Sequence, residues 1–243
     1  NSLPVLSSAQ ISLFREQGYL VVRQVFSPSE LDHLLQGYAY IESLVTRGGF
    51  DQQYTTGKGP EVHIHIQAPP DDQENEAQAA AGGDEKKSAE YLGSVQYLRS
   101  VQYLRSVQYL RKVQWPAFLH PAFETIRTSA KWPALLAPLL GTSLKQYINQ
   151  INFKMPGGNI QFPWHQDIRP TPAFVDQVNN YVQTVTVVDQ ATIANGCLCI
   201  VPGSHQLGNL KAQRYAAGQI EEHVDVAKAI PIEASPGDVV LFT

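Results

Sequence analysis

The spacing of apolar and polar positions at the start of the chain predicts one helix followed by one strand. Ser7 and Gln10 have the spacing of a capping box, so a helix is expected to begin there, and Gly18 is expected to end it. Residues 19–25 are rich in β-branched side chains and predict a strand. The chain is therefore expected to enter a sheet directly after its first helix.

A second helix is predicted from residue 28 to about residue 45. Ser27 supplies an N-cap side chain, Pro28 occupies the first helical position, and Glu30 occupies the third. The apolar residues that follow recur at helical spacing. We expect the buried stripe of this helix to contain Leu31, Leu34 and Leu35.

The pattern weakens after the second helix. Residues 62–66 alternate as a strand does, whereas residues 68–88 contain few large apolar side chains and predict a mobile surface loop. The sequence Ser-Val-Gln-Tyr-Leu-Arg then occurs three times in residues 94–111. Its period fits neither a helix nor a heptad, so we expect added helical turns or a looped insertion and assign these copies no chemistry.

From residue 121 onward the pattern changes from helix to strand. Residues 121–140 predict helix with proline breaks, ended by Gly141. Gly, Pro, Asn and Asp turns then separate predicted strands at 147–153, 181–188, 197–201 and 239–242. This pattern is typical of an antiparallel barrel or jelly roll. We therefore expect one mainly β domain over residues 1–243, with a helical N-terminal part (1–145) and a jelly-roll core (146–243).

Composition narrows the class of protein. Apolar residues make up 43% and charged residues 16% of the chain, and the net charge is −4, so no basic surface for nucleic acid is expected. No stretch approaches the roughly 20 apolar residues of a membrane span, and the N-terminus lacks a signal-peptide pattern. An intracellular, cytoplasmic protein with small-molecule partners is expected. The sequence leaves open whether it forms a homodimer.

His165 and Asp167 are the candidate metal ligands. On a strand, residues i and i+2 point to the same face, so this imidazole and this carboxylate would converge on one point. Such a nitrogen and oxygen pair suits a divalent first-row metal and forms two of the three protein ligands in facial-triad iron sites. The tripeptide alone is equally the composition of an ordinary surface or turn pair.

The surrounding motifs give the pair a context. In order along the chain they occupy residues 17–22, 150–158, 162–167, 189–198, 201–205 and 236–242. This order and spacing resemble the phytanoyl-CoA dioxygenase (PhyH) family of Fe(II)- and 2-oxoglutarate-dependent oxygenases. The resemblance implies a double-stranded β-helix, a cupin-like jelly roll whose mouth holds the metal.

The same resemblance implies the activity. Fe(II) and 2-oxoglutarate would be the cofactors, and a small organic molecule would be hydroxylated or otherwise oxidised by O2, with release of succinate and CO2. Related halogenases replace the metal-binding carboxylate with a small residue, so the retained Asp167 favours a hydroxylase. The alternative is a non-catalytic small-molecule-binding protein on the same barrel. The substrate cannot be deduced from the sequence.

The resemblance also implies further site residues. Lys112 and Gln150 match family positions that contact 2-oxoglutarate, although an ordinary surface lysine explains Lys112 equally well. Gln183 and Val185 line the same cavity in that comparison. Two aromatic residues lie beside the metal pair, Phe162 and Trp164. They are expected to form either a wall of the substrate pocket or part of the core.

Other polar residues are weaker candidates. Lys154 is a further candidate for 2-oxoglutarate, but a solvated side chain is favoured there. His205 lies in a turn motif and is not expected to bind the metal. His63 and His65 share a strand face, and a solvated or hydrogen-bonded pair is favoured over a metal site.

In the family, a second iron-binding histidine and an arginine for 2-oxoglutarate follow the last predicted strand. This sequence stops at Thr243, one residue after that strand. The jelly roll is therefore expected to be cut short at its C-terminus. We expect these 243 residues by themselves to bind iron weakly and to turn over little.

Overall fold

The computed structural model describes residues 3–46, 53–54, 62–66, 110–154, 162–168, 181–210 and 220–243. The chain divides into two compact units. The first unit is built from residues 1–33, 128–146 and 161–243, and the second from 34–127 and 147–160. The predicted mobile loop at 68–88 and the repeat copies up to residue 109 lie outside the described residues.

Within the described residues the α-helices precede residue 141, and short antiparallel strands run through both halves of the chain. The elements in chain order are α1 (Ser8–Gln17), β1 (Tyr19–Val22), α2 (Pro28–Thr46), β2 (Gln53–Tyr54), β3 (Val62–Ile66), β4 (Leu110–Gln114), α3 (Pro121–Arg127), α4 (Lys131–Leu140), β5 (Gln150–Asn152), β6 (Gln183–Thr186), β7 (Leu198–Ile200), β8 (Ile230–Ile232) and β9 (Val239–Phe242). Within the described ranges, no helix has the length and apolarity needed to cross a bilayer.

The helix caps form as local sequence predicts. The Ser7 hydroxyl accepts a hydrogen bond from the Gln10 backbone N–H at 3.2 Å, and the Gln10 side chain accepts one from the Ser7 N–H at 2.9 Å. Gly18 ends α1 with φ +78°, a conformation that favours glycine. Before α2, the Ser27 N–H donates to the Glu30 carboxylate at 2.7 Å. Both predicted capping interactions are confirmed.

The buried stripe of α2 differs from the prediction at one position. Leu31 and Leu34 are buried, but 46% of Leu35 is exposed, so its assignment to the stripe was wrong. Ile41 and Val45 continue the stripe and are fully buried. Their spacing from Leu34 turns the buried side away from Leu35.

Several elements also differ from their predicted bounds, and β5, β6 and β7 are each shorter than the predicted strand. The strand expected over residues 19–25 ends at Val22, because the chain turns at Gln24, where φ is +53°. The helix with proline breaks expected over residues 121–140 is two helices, α3 and α4, but the break at residues 128–130 contains no proline, and Pro138 lies inside α4. Strand β4 begins with the last two residues of the six-residue repeat, where helix or loop was expected. Strand β8 was not predicted at all.

The first unit contains a three-stranded antiparallel sheet with the order β1-β9-β6. Strand β9 is central, and its residues Val239, Val240 and Leu241 are at most 2% exposed. Strands β7 and β8 form a separate antiparallel pair. Val240 of β9 packs in one buried cluster with Ile232 of β8 and with neighbouring apolar residues, so the two sheets share a core.

The second unit contains a four-stranded antiparallel sheet with the order β2-β3-β4-β5. Ile64, Val113 and Ile151 lie opposite one another across β3, β4 and β5 and are buried. In the same unit, the Tyr38 ring makes edge contacts with Phe123 and Phe153 at centroid distances of 5.5 and 5.6 Å. One face of this sheet is therefore apolar and packed.

Candidate metal and cofactor site

The candidate metal pair lies on segment 162–168, between β5 and β6 along the chain. This segment is not a strand, so the strand geometry expected for the pair was wrong. The two side chains nevertheless converge, with His165 Nε2 and Asp167 Oδ1 separated by 3.1 Å. About a third of each side chain is exposed, 37% for His165 and 32% for Asp167, so a ligand can reach both.

The hydrogen bonds of His165 define which of its nitrogens can bind a cation. The Pro163 carbonyl oxygen lies 2.7 Å from Nδ1 and can only accept, so Nδ1 carries the proton and donates. In the neutral imidazole, Nε2 then presents its lone pair to the Asp167 carboxylate. Two acceptors at this distance require a cation, either a proton or a metal ion, to bind them together.

The donor set fits a first-row divalent metal. Two ligand atoms that each lie about 2.1 Å from one metal at a right angle are about 3.0 Å apart. The 3.1 Å separation of Nε2 and Oδ1 matches this value. The Nδ1 hydrogen bond to a backbone carbonyl is the usual second contact of a metal-binding histidine. Among the residues that the structure describes, no group of three or more His, Cys, Asp or Glu side chains has metal-binding geometry.

Gln183 and Val185 lie in the same unit as the metal pair. They lie two residues apart on β6, opposite Phe242 and Val240, so both are on the face of the sheet that packs toward β7 and β8. The Tyr181 hydroxyl donates to Gln183 Oε1 at 2.7 Å. This bond turns the amide so that its NH₂ group is the part that can donate to a ligand.

Lys112 and Gln150 lie in the second unit, on neighbouring strands. Lys112 pairs with Asn152, and Gln114 pairs with Gln150. Because side chains alternate along a strand, these four residues share one face, opposite the buried Val113. The structure thus brings Lys112 and Gln150 to one polar face of one sheet.

The other candidates occupy separate environments. Phe162 is 41% exposed, and Trp164 is half-buried beside the pair. Lys154 is exposed. His205 Nε2 donates to the Arg15 carbonyl at the end of α1 at 3.1 Å, which gives this histidine a partner unrelated to the metal pair. The side chains of the two β3 histidines, His63 and His65, lie outside the description.

The Pro-Gly-Asp motif anchors the turn that leads into β9. The Asp238 carboxylate is 2% exposed and accepts hydrogen bonds from the N–H groups of Gln24 and Ser235 at 2.9 Å and from the Arg23 guanidinium at 2.7 Å. Burial alone would raise the pKa of Asp238, but these donors outweigh burial and hold the pKa below its ordinary value. Asp238 is therefore a structural anion that joins β1 to β9.

Sequence reasoning missed two residues whose hydrogen bonds support the candidate site. Tyr181 orients Gln183, and the side chain of Gln166 binds the backbone at Gly208 and Leu210. The partners of Gln166 are more than 40 residues away along the chain, and no local signal identifies them. For Tyr181 the i, i+2 spacing to Gln183 is a signal, but it is common to any strand.

The profile of the family described as phytanoyl-CoA dioxygenase (PhyH) matches residues 14–243. The chain belongs to this family. Membership confirms the resemblance carried by the ordered motifs. It also explains why the His-x-Asp segment, the turn motifs and the last strand occur together in one chain.

The curated relatives of this family member include the methylphosphonate hydroxylase of Gimesia maris, 33% identical over 125 residues, which covers 51% of this chain and 45% of that protein. The dioxygenase lolE1 of Epichloe uncinata is 33% identical over 109 residues, which covers 44% of this chain and 40% of the relative. The matched stretch thus spans less than half the length of either relative.

Solved structures show the same fold at low sequence identity. EctD from S. alaskensis with 2-oxoglutarate and 5-hydroxyectoine aligns with a TM-score of 0.59 at 17% identity, over 98% of this chain and 67% of that chain. This likeness concerns the path of the backbone. The fold of this PhyH family member is therefore similar to that of EctD.

Proposed function

We propose that this PhyH family member is an Fe(II)- and 2-oxoglutarate-dependent oxygenase in which His165 and Asp167 bind the iron. The observation that carries the proposal is the 3.1 Å approach of Nε2 to Oδ1, with Nδ1 held by the Pro163 carbonyl. When bound, iron with 2-oxoglutarate and O2 supplies the oxidising chemistry and releases succinate and CO2. The chain's own residues hold the donor atoms in place.

Four residues are proposed to contact 2-oxoglutarate. Gln183, oriented by Tyr181, offers an amide NH₂, and Val185 lies beside it on the same strand face. Lys112 offers a cation and Gln150 an amide on the polar face of their sheet. An ammonium group and amide N–H groups are suitable donors for the two carboxylates of 2-oxoglutarate.

The fold and the substrate belong to the same proposal. We propose that the two sheets of the first unit are part of a double-stranded β-helix, and that Phe162 and Trp164 border a pocket for a small organic molecule. The names of the relatives refer to methylphosphonate and to a dioxygenase, and the EctD structure holds 5-hydroxyectoine. These names support hydroxylation of a small molecule. The cytoplasmic location and the homodimer stay predictions.

Iron binding tests the central assignment. Anaerobic calorimetric titration with Fe(II) is performed on the parent chain and on His165→Ala, Asp167→Ala and the control Asp189→Ala. Removing either ligand is expected to weaken Fe(II) binding by at least about tenfold. Asp189 is exposed and carries the same charge, so its variant is expected to bind as the parent does. Equal affinity in all four proteins would refute the metal assignment.

Turnover tests the enzyme class. Succinate formed from 2-oxoglutarate with Fe(II) and ascorbate is measured in the full natural protein, and Asp167→Ala is expected to abolish it. Tight iron binding without any succinate would instead favour the non-catalytic binding protein. The two measurements separate the metal site from the reaction that it serves.

A further inference from the structure

Gln166 lies between the two proposed metal ligands and points away from them. Its Nε2 donates to the Gly208 carbonyl oxygen at 2.9 Å, and its Oε1 accepts from the Leu210 N–H at 2.8 Å. Ile168, two residues further along the chain, is 5% exposed and also points inward. Inward and outward side chains thus alternate along the segment, so fixing Gln166 restrains the two outward ligands.

The backbone that Gln166 binds is itself held in place. Gly203 N–H, His205 Nε2 and the Gln206 amide donate to three successive carbonyl oxygens at the C-terminal end of α1, at 2.8, 3.1 and 3.2 Å. These bonds satisfy helix-end carbonyls that otherwise lack partners. Asn209 and Leu210 are each 4% exposed. The loop 203–210 is therefore a fixed support rather than a free surface loop.

We propose that Gln166 is a positioning residue whose amide clamps the metal-binding segment to loop 203–210 and so sets the separation of His165 and Asp167. A carboxamide is suited to this task because it donates and accepts at once, and Gly208 and Leu210 present one acceptor and one donor. Outer contacts of this kind hold metal ligands in register. The inference rests on the proposed function, since the cation concerned is the proposed iron.

The test uses Gln166→Glu and Gln166→Ala in the Fe(II) titration described above. Glu keeps the size and the acceptor for Leu210 but loses the donor to Gly208, and Ala loses both bonds. Each variant is expected to bind Fe(II) about 10- to 100-fold more weakly than the parent. The added charge of Glu by itself would tighten cation binding, so weaker binding there identifies loss of position.

The matched control is Gln190→Ala, which removes an exposed amide outside both the metal-binding segment and loop 203–210. It is expected to change Fe(II) affinity less than twofold. In the metal-free protein, hydrogen exchange at the Leu210 N–H is expected to accelerate in Gln166→Ala and to stay unchanged in Gln190→Ala. If Gln166→Ala fails to fold, the isosteric Gln166→Glu carries the comparison.

Three results test the inference and the proposed function separately. Parent-like Fe(II) affinity in both Gln166 variants, together with weakened binding in Asp167→Ala, would overturn the positioning role and leave the metal site standing. A lower melting temperature in the Gln166 variants with unchanged affinity would overturn it as well, because a purely structural role predicts that outcome. Parent-like binding in His165→Ala and Asp167→Ala would overturn the metal site itself.

Discussion

Replacing Asp238 with asparagine is expected to destabilise the protein strongly for a change of one atom. The carboxylate serves three donors, with Oδ1 bonded to the Gln24 N–H and Oδ2 bonded to the Ser235 N–H and Arg23. An asparagine has one oxygen, so its better orientation keeps the two Oδ2 bonds and turns an NH₂ group toward the Gln24 N–H. That donor is then left without an acceptor in a part-buried turn.

The magnitude follows from the lost bond. A hydrogen bond to a charged group contributes about 1.5–3 kcal/mol, so Asp238→Asn is expected to lower the free energy of unfolding by about that amount. Little of it comes from Arg23, whose side chain is 60% exposed, because exposed ion pairs contribute about 0–1 kcal/mol. Arg23→Ala is therefore expected to cost much less than Asp238→Asn.

The assay is urea unfolding at neutral pH, with Asp225→Asn as the matched control. Asp225 is 57% exposed, lies 3.4 Å from Lys228 and caps a short turn at Ala227, a task that asparagine performs equally well. The control is expected to change stability by less than about 1 kcal/mol. A cost for Asp238→Asn no larger than that of Asp225→Asn would refute the anchoring role.

The pH dependence supplies a second check on Asp238. Its folded-state pKa lies below the unfolded value of about 3.9, so its stabilising effect is complete above that value and is lost as the pH falls through the folded pKa. The stability difference between the parent and Asp238→Asn is therefore expected to shrink below about pH 4. A difference that stays constant into acid would show that the charge is not responsible.

Two further predictions concern the first unit. Gly18→Ala is expected to lower the free energy of unfolding by more than the about 1–2 kcal/mol of a left-handed backbone, because its Cβ would meet the His205 ring. The control in urea unfolding is Gly203→Ala, which has nearly the same φ but open space around its Cβ. Burial would raise the pKa of Glu30, but the bonds from Lys131 and Ser27 outweigh burial and lower it. Lys131→Met is therefore expected to flatten the loss of stability between about pH 5 and 3. An unchanged pH dependence of stability in this range would contradict the prediction.

Local sequence was sufficient for elements whose defining contacts are a few residues apart. The capping interactions of Ser7 with Gln10 and of Ser27 with Glu30 span three residues each, and both helices begin where they predict. The bounds of β3 and β9 also match the predicted runs, because alternation or continuous apolar character marks them directly. Strand β8 was not predicted because it contains Pro231, and proline in a sequence argues against a strand interior.

The candidate site divides in the same way. Residue types and motif order were enough to single out His165 and Asp167, and to predict the family that the profile confirms. The role of the pair as metal ligands stays a prediction, as do the roles of Lys112, Gln150, Gln183 and Val185. The clamp at Gln166 could not be predicted, because its partners follow 42 and 44 residues later.

The sequence by itself determined where α1, α2, β1, β3 and β9 start, which family the chain resembles and which side chains could bind a metal. Only the tertiary structure decided that β9 lies between β1 and β6, that Leu35 faces outward and that Asp238 holds Arg23 and Gln24. The physical reason is distance along the chain. Arg23 and Asp238 are 215 residues apart, and such contacts arise from packing rather than from local periodicity.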